Sequence, residues 1–213
     1  EMPGEYALRT VKKMERSGSL VRAAVNRRLE GKGREAPVSF DDGMAQLPRA
    51  LYEHNADRVA LETAVDRIVP EGTGYRLETE DGSHRVDHVV VTVRADVAAG
   101  LLADVDADSA RALRRLYYNP LAYVHLHSAA APAGYGYQVR HDEPLRTLGV
   151  TWNTSLFDRD GVYTCFLGGM GNPGLVDRSD EEIGRIARTE FESVLGVSAE
   201  VVNITRHRRG IPA

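Results

Sequence analysis

Apolar residues recur at helical spacing in several parts of the chain, and this predicts helices there. In residues 5–30 the pattern breaks at Gly18, so two helices joined by that glycine are expected. At the start of the last helix, Ser179 and Glu182 form a capping box, in which the two side chains satisfy terminal backbone amides. The other predicted helices lie at 44–51, with Asp41 or Asp42 as the cap, at 95–102 and at 109–116.

Other stretches alternate between apolar and polar residues or run apolar over lengths typical of β-strands. Asp81 and Gly82 follow one such stretch, 75–79, and predict a hairpin turn. The run 89–93 is continuously apolar, so a strand buried on both faces is expected. Further strands are predicted at 59–61, 121–127, 135–140, 147–153, 162–167 and 199–205. The order of elements predicts an α+β fold with a mixed, mainly antiparallel sheet and flanking helices.

The composition is typical of an ordinary globular protein, with 42% hydrophobic and 27% charged residues. A net charge of -4 argues against nucleic-acid binding, since phosphate recognition usually requires a basic domain. The single cysteine, Cys165, cannot form an internal disulfide. It stands in an apolar run, where burial as a small hydrophobic residue is expected. A reducing, cytoplasmic location fits this composition best.

Basic residues are concentrated near the start of the chain, within the first predicted helices. Such a concentration would suit peripheral contact with an anionic membrane surface. Solvated helix faces are the commoner arrangement of these charges and are the favoured interpretation. The residues concerned are Lys12, Lys13, Arg16, Arg22, Arg27, Arg28 and Lys32.

The residue types alone indicate little catalytic chemistry. His125 and His127 lie on one face of a predicted strand and could chelate a metal, but a structural zinc site needs four ligands, so no metal site is expected. Cys165 lacks the electropositive, exposed setting of a nucleophile, and core packing is expected for it. Ser19 and Ser155 have no histidine and acidic partner that the sequence places nearby, so a helix cap and a turn residue are expected.

Six short motifs, taken in order, resemble those of one enzyme family. The similarity spans about residues 18–212 and is to the protoporphyrinogen and coproporphyrinogen oxidases, flavoproteins of the amine-oxidase superfamily. Three positions depart from the family pattern, since Asp42 replaces a glycine, Arg94 a proline and His207 a tryptophan. The motifs are Gly-Ser-Leu at 18–20, Phe-Asp-Asp-Gly-Met-Ala-Gln-Leu at 40–47, the segments 149–157 and 163–170, Ser-Asp-Glu-Glu at 179–182, and Gly-Ile-Pro at 210–212.

The resemblance implies two residues that contact the cofactor, which in this family is FAD. Val65 matches a valine whose backbone holds the adenine end of FAD, although a core residue at a strand end is an equal alternative. His207 occupies the position of an aromatic residue that lies near the flavin.

The resemblance also implies a pocket for the substrate, a large and mostly apolar tetrapyrrole. Tyr135 and Gly136 match an aromatic-glycine segment that lines this pocket, and Gly136 would let the ring approach the backbone. Phe166 and Leu167 match an apolar pair that precedes two glycines. Tyr135, Gly136 and Phe166 are therefore expected to line one apolar cavity, carried by neighbouring strands.

The resemblance divides the chain into a helical segment at 1–35, a remnant of an FAD-binding domain at 36–95 and a substrate-binding domain at 96–213. The sequence contains no Gly-x-Gly-x-x-Gly turn, which cradles the FAD pyrophosphate at a helix N-terminus. The chain is therefore expected to be a piece of a longer enzyme. By itself it is expected neither to retain FAD nor to oxidise a porphyrinogen.

The activity that the resemblance implies is the flavin-dependent oxidation of protoporphyrinogen or coproporphyrinogen to the porphyrin in haem biosynthesis. Oxygen would be the acceptor, and the flavin would carry the redox chemistry while the protein orients the ring. The sequence indicates no general base. Two alternatives stay open: another flavoprotein of the superfamily, such as an amine oxidase or carotenoid desaturase, and a non-catalytic ligand-binding domain.

Overall fold

A computed structural model describes residues 38–130 and 132–212 of the chain. They divide into two compact units, with residues 40–117 in the first and 118–211 in the second. The first unit extends beyond the boundary predicted after residue 95, because the first of the two helices that follow packs on its first strand and the second helix packs on the first. The helical segment predicted at 1–35 lies outside the described residues.

The first unit contains a three-stranded antiparallel sheet in the order β1–β2–β3. The predicted hairpin is confirmed: Thr79 pairs with Gly82, whose φ of 143° is one that glycine adopts readily. The elements of this unit are α1 Gln46–His54, a 3-10 turn Ala56–Arg58, β1 Val65–Glu71, β2 Gly74–Thr79, β3 Gly82–Val86, α2 Ala95–Leu101 and α3 Ala107–Arg114.

Two predictions for the beginning of this unit are wrong. Residues 59–61 do not form a strand, because Glu62, with a φ of 56°, turns the chain immediately after them. Neither Asp41 nor Asp42 caps α1; the residue before the helix is Ala45, and no side chain bonds to the free amides. The apolar stripe of α1 is present, but the helix buries none of its residues.

The apolar run 89–93 also differs from the prediction. Strand β3 ends at Val86, the run adopts no regular structure, and Val90 is 84% exposed. A strand buried on both faces needs a paired strand beside it and cover on each side. Among the described residues no strand pairs with this run, so its composition predicted both the wrong structure and the wrong burial.

Helices α2 and α3 are confirmed and provide most of the small core of the first unit. Ala98, Ala99 and Ala110 are buried, as is Ile68 of β1. Asp106 caps α3 by accepting hydrogen bonds from the first backbone amides of the helix. Because most of the buried side chains are alanines, this core contains little apolar surface per residue.

The second unit contains a five-stranded sheet in the order β5–β6–β7–β4–β8. The pairs β4–β7, β5–β6 and β6–β7 are antiparallel. Strand β8 also runs antiparallel to β4, since Ser198 lies beside Ser128 at one end and Gly210 beside Asn119 at the other. The elements are β4 Tyr118–His127, β5 Gly136–Gln138, β6 Thr147–Trp152, α4 Asn153–Phe157, β7 Val162–Gly168, a 3-10 turn Pro173–Asp177, α5 Asp180–Leu195 and β8 Glu200–Pro212.

The predictions for this unit are confirmed in their main features. The four strands predicted between 121 and 167 are all present. The Ser179 side chain accepts a hydrogen bond from the Glu182 amide at 3.2 Å, and Gly196 ends α5 in the left-handed conformation. Strand β8 is longer than predicted, since it continues past residue 205 to Pro212. The α+β fold with antiparallel sheets is therefore confirmed.

Helix α5 covers one face of the five-stranded sheet and forms the main core with it. Val124 of β4 and Cys165 and Leu167 of β7 are fully buried, together with Ile183 and Phe191 of α5. Cys165 is therefore a packing residue, as predicted. Burial raises the pKa of its thiol to about 12, so the thiol stays protonated at neutral pH.

Two carboxylates fasten α5 to the loops beside it. Glu190 accepts hydrogen bonds from the backbone amides of Arg146 and Thr147, the latter at 2.8 Å. Glu192 accepts a hydrogen bond from the amide of Ala199 at 3.1 Å. These contacts fix the positions of β6 and of the segment that leads into β8, so the sheet is held firmly on its helix side.

Candidate functional site

The pairing register separates the side chains of the five-stranded sheet into two faces. Val124 pairs with Cys165, and both point towards α5 into the core. Their neighbours Tyr123 and Phe166 also pair, and because successive residues of a strand alternate, these two point to the other side. Both are half-buried, so this second face is neither part of the main core nor fully solvated.

Three rings form a row across the strands on this second face. The centroids of Tyr123 and Phe166 are 5.4 Å apart with planes at 84°, an edge-to-face contact. The rings of Tyr123 and His207 are 5.1 Å apart at 69°. We call the side of the sheet that carries Tyr123, His125, Thr164, Phe166 and His207 the aromatic face.

The position of His207 is fixed by its neighbours on β8. Arg206 donates a hydrogen bond to the carbonyl of Val176 at 3.0 Å, and Arg208 pairs with Asp177. Both acceptors belong to the 3-10 turn that precedes α5, so these arginines point to the helix side of the sheet. His207, which lies between them, is thereby turned towards Tyr123 on the aromatic face.

Beyond Phe166 the aromatic face continues over β6 and β5, where two of the positions are glycines. Phe166 pairs with Gly149 of β6, and Gly149 pairs with Gln138 of β5. Gly136 lies on the same face, opposite Thr151. The aromatic row therefore stands beside low-lying backbone, which leaves room for a flat group next to the Phe166 ring.

The structure separates the residues that were expected to line one substrate pocket. Leu167 points into the main core and is 0% exposed, because it follows Phe166 directly in the strand. Tyr135 lies on the helix side as well, since its carbonyl accepts a hydrogen bond from the Trp152 amide and the alternation continues from Tyr137. Gly136 and Phe166 share a face, and the cavity that the resemblance implies for Tyr135 and Phe166 stays a prediction.

The glycine at position 136 is explained by strand pairing. Its φ is 138°, and a Cβ placed there would lie 2.0 Å from the carbonyl oxygen of Val150 on β6. The close approach of β5 and β6 thus requires glycine whether or not a ligand is bound. The role in substrate binding that the resemblance implies for Gly136 stays a prediction.

His125, which was considered above only as a possible metal ligand, also lies on the aromatic face. It lies on β4 opposite Thr164, and its Nδ1 atom is buried without a hydrogen-bond partner among the described residues. Desolvation by burial lowers the pKa of His125 below its usual value, so the imidazole is neutral near pH 7. The hydroxyl of Thr164 does not bond to it, but accepts a hydrogen bond from Asn153 at 2.7 Å.

His125 and His127 share a strand face, as the sequence indicates, but His127 is exposed at the end of β4. No group of three or more potential metal ligands occurs within residues 38–130 and 132–212. In the same part of the chain no helix is long and apolar enough to cross a bilayer.

Val65 lies in the first unit, at the beginning of β1. The pairing of β1 with β2 is irregular here, since the register shifts between Val65 and Arg67. Such a bulge removes backbone polar groups from the regular ladder. Val65 still pairs with Thr79, but β1 is the edge strand of the described sheet, where one row of backbone groups lies outside the ladder. The contact with FAD that the resemblance implies for Val65 stays a prediction.

The sequence analysis missed Tyr123 and considered His125 only as a possible metal ligand. Both belong to a predicted strand. Because side chains alternate along β4, they lie on the other face of the sheet from the buried Val124. The register of β4 against β7 and β8, which brings the rings of Tyr123, Phe166 and His207 together, could not be read from spacing.

Comparison with known proteins gives consistent matches. The family model for flavin containing amine oxidoreductases matches residues 7–209. Protoporphyrinogen oxidase 1, chloroplastic, of Arabidopsis thaliana is 29% identical over 178 residues, which cover 74% of this chain and 33% of the relative. Coproporphyrinogen III oxidase of Bacillus subtilis (strain 168) is 23% identical over 168 residues, covering 73% of this chain and 35% of the relative.

A solved structure from Exiguobacterium sp. 255-15, of a protein provisionally named a protoporphyrinogen oxidase, resembles this chain with a TM-score of 0.72 and 26% identity. The match covers 95% of this chain and 46% of that one. The chain spans about a third of the length of the curated relatives it matches.

Proposed function

Because the chain belongs to the flavin containing amine oxidoreductases, we propose that the whole protein oxidises a porphyrinogen, protoporphyrinogen or coproporphyrinogen, to the porphyrin. Its cofactor is FAD, and oxygen is the acceptor that regenerates the flavin. The relatives whose names carry this chemistry support the proposal. The same proposal places the protein in the cytoplasm and includes no binding of nucleic acid.

The residues of this chain fit two parts of FAD and not a third. The position of Val65 on β1, the edge strand of the described sheet, suits a backbone contact with the adenine end. The exposed ring of His207, edge-on to Tyr123, suits a position beside a flat ring. The glycine-rich turn that would cradle the pyrophosphate is not in this sequence.

The observation that carries the substrate assignment is the aromatic face. A tetrapyrrole is broad and mostly apolar and carries carboxylates at its edge, so it needs an apolar platform with polar groups nearby. Phe166 and Tyr123 provide the platform, and Gly149 beside them leaves space for the ring. FAD, when bound, supplies the hydride acceptor; the residues described here bind and orient the ring.

The experiment uses the whole protein, purified with its flavin, and follows porphyrin fluorescence after protoporphyrinogen or coproporphyrinogen is added in air. The expected result is formation of porphyrin with release of hydrogen peroxide. Oxidation of a primary amine in place of either porphyrinogen would contradict the proposal and favour an amine oxidase.

Phe166→Ala tests the platform in the same assay, because it removes the ring that borders Gly149 and leaves the helix side of the sheet unchanged. The expected result is a higher KM for the porphyrinogen with normal flavin absorbance. Leu148→Ala is the matched control, since Leu148 is 42% exposed and neighbours Gly149 without an assigned role.

A further inference from the structure

The aromatic face carries imidazoles and no carboxylate at the positions that the register assigns to it on β4, β5, β6 and β7. His125 and His127 lie on β4, and His207 contacts Tyr123 from β8. The corresponding positions of the other three strands are occupied by glycine, threonine, glutamine, valine and phenylalanine. Groups that can donate hydrogen bonds or become cationic, without acidic neighbours, favour an anionic ligand.

His125 is the best placed of these imidazoles. Its cross-strand partner, Thr164, is uncharged, and the residues on either side of Thr164 in β7 carry no carboxylate. Tyr123, two positions before His125 on β4, lies at the centre of the aromatic row. His125 is partly exposed and its Nδ1 atom is buried, so the exposed part of the ring is the opposite edge, which carries Nε2.

The proton of the neutral ring belongs on Nε2. A buried N–H without an acceptor is rarer in proteins than an incompletely satisfied acceptor, so the lone pair is assigned to Nδ1. The accessible nitrogen is then a donor. A side chain that presents one hydrogen-bond donor beside an apolar platform is suited to an acceptor at the edge of a flat ligand.

We propose that His125 donates a hydrogen bond from Nε2 to a carboxylate of the bound tetrapyrrole and thereby positions the ring on the aromatic face. This inference rests on the proposed function and extends it to how the substrate is recognised. His125 is a positioning residue, and no bond of the substrate is made or broken by it.

The proposal has a pH dependence with a definite sign. A bound carboxylate favours the imidazolium, so binding raises the pKa of His125 from its lowered value in the free protein. Ligand affinity should therefore increase as the pH falls from about 8 to about 6. The other titratable or charged groups that strand alternation places on this face are Tyr123 and His127 on β4 and His207 and Arg209 on β8, whereas the facing positions of β7 and the helix α4 carry none.

The test measures binding of two probes to the whole, flavin-loaded protein by fluorescence titration: coproporphyrin III and its tetramethyl ester, which lacks the carboxylates. His125→Phe should weaken binding of the free acid about tenfold, the effect of losing one hydrogen bond to a charged group, and leave the ester unchanged. His125→Gln, whose amide can still donate, should recover most of the affinity. His127→Phe is the matched control and should bind both probes normally.

Each other outcome has a definite meaning. Equal weakening of acid and ester would overturn the proposal, because it would indicate a loss of packing, and so would unchanged binding of the acid. If His125→Phe does not fold, the pH dependence of the wild type is compared with that of His125→Gln, and equal slopes overturn the proposal. If the wild type binds neither probe, the proposed function itself fails; if it binds the acid and only the variants disagree, the inference alone fails.

Discussion

The two compact units both contain an amphipathic helix, but they use it differently. Helix α5 of the second unit buries Ile183, Ile186 and Phe191 against the five-stranded sheet. Helix α1 of the first unit has a comparable apolar stripe and buries none of it, and Leu51 is 55% exposed. A hydrophobic pattern thus predicts that a helix forms, but the surface that covers it depends on residues elsewhere.

The largest expected effect is a difference in independent folding between the two units. A chain of residues 118–211 should fold cooperatively, because its helix and sheet share a continuous core. A chain of residues 40–117 should not, since its core consists mainly of alanines. Thermal melting by circular dichroism and amide hydrogen exchange measure this, and a cooperative melt of the 40–117 chain would contradict it.

A pair of substitutions sharpens the comparison between the helices. Phe191→Ala in α5 removes a fully buried ring whose centroid lies 5.0 Å from that of the Tyr163 ring. It should therefore lower the free energy of unfolding by about 3–5 kcal/mol. Leu51→Ala in α1 is the matched control and should change it by less than about 0.5 kcal/mol, because the side chain is mostly exposed. Denaturant titration of the chain measures both, with each unit followed by its own probe.

Equal effects of these two variants would mean that α1 is covered in the native protein. The exposed stripe would then belong to an interface, and the difference between the units would reflect missing contacts rather than intrinsic stability.

Glycine substitutions test the strained backbone of the second unit against the regular backbone of the first. Gly136→Ala should destabilise the 118–211 unit by about 1–3 kcal/mol, because the φ of 138° and the Val150 carbonyl both oppose a Cβ. Gly100→Ala is the control: it lies in α2 with nothing within 4 Å of the added Cβ and should be stabilising by about 0.5–1 kcal/mol. Thermal denaturation checks both, and a stable Gly136→Ala would refute the steric argument.

The sequence predicted well the elements whose signals are local. The capping box at Ser179, the left-handed Gly196 and the hairpin at Gly82 each depend on neighbouring residues, and all three are present. The run 89–93 failed because burial on two faces depends on a partner strand, which no local pattern specifies.

The site could be predicted only in part, for a similar reason. The family motifs indicated His207 and Phe166, which the structure places on one face with Tyr123 between them. Leu167 was grouped with Phe166 by motif, although strand alternation places it on the helix side. Motif adjacency does not record which face a residue occupies, and a shift of one residue reverses the assignment.

The smallest effect comes from Cys165, the single cysteine, which reports on the second unit alone. Burial raises the pKa of its thiol from 9.0 to about 12 in the folded state. The unfolded chain therefore loses this proton at a lower pH than the folded one, so the thiol's contribution to stability is full below about pH 9 and is lost as the pH rises towards 12. Thiol labelling under native conditions should be slow at neutral pH. It should become faster between pH 9 and 12, where its rate is set by unfolding. Cys165→Val should remove the thiol's share of the pH dependence, and rapid labelling of the native wild type at neutral pH would contradict the burial on which the prediction rests.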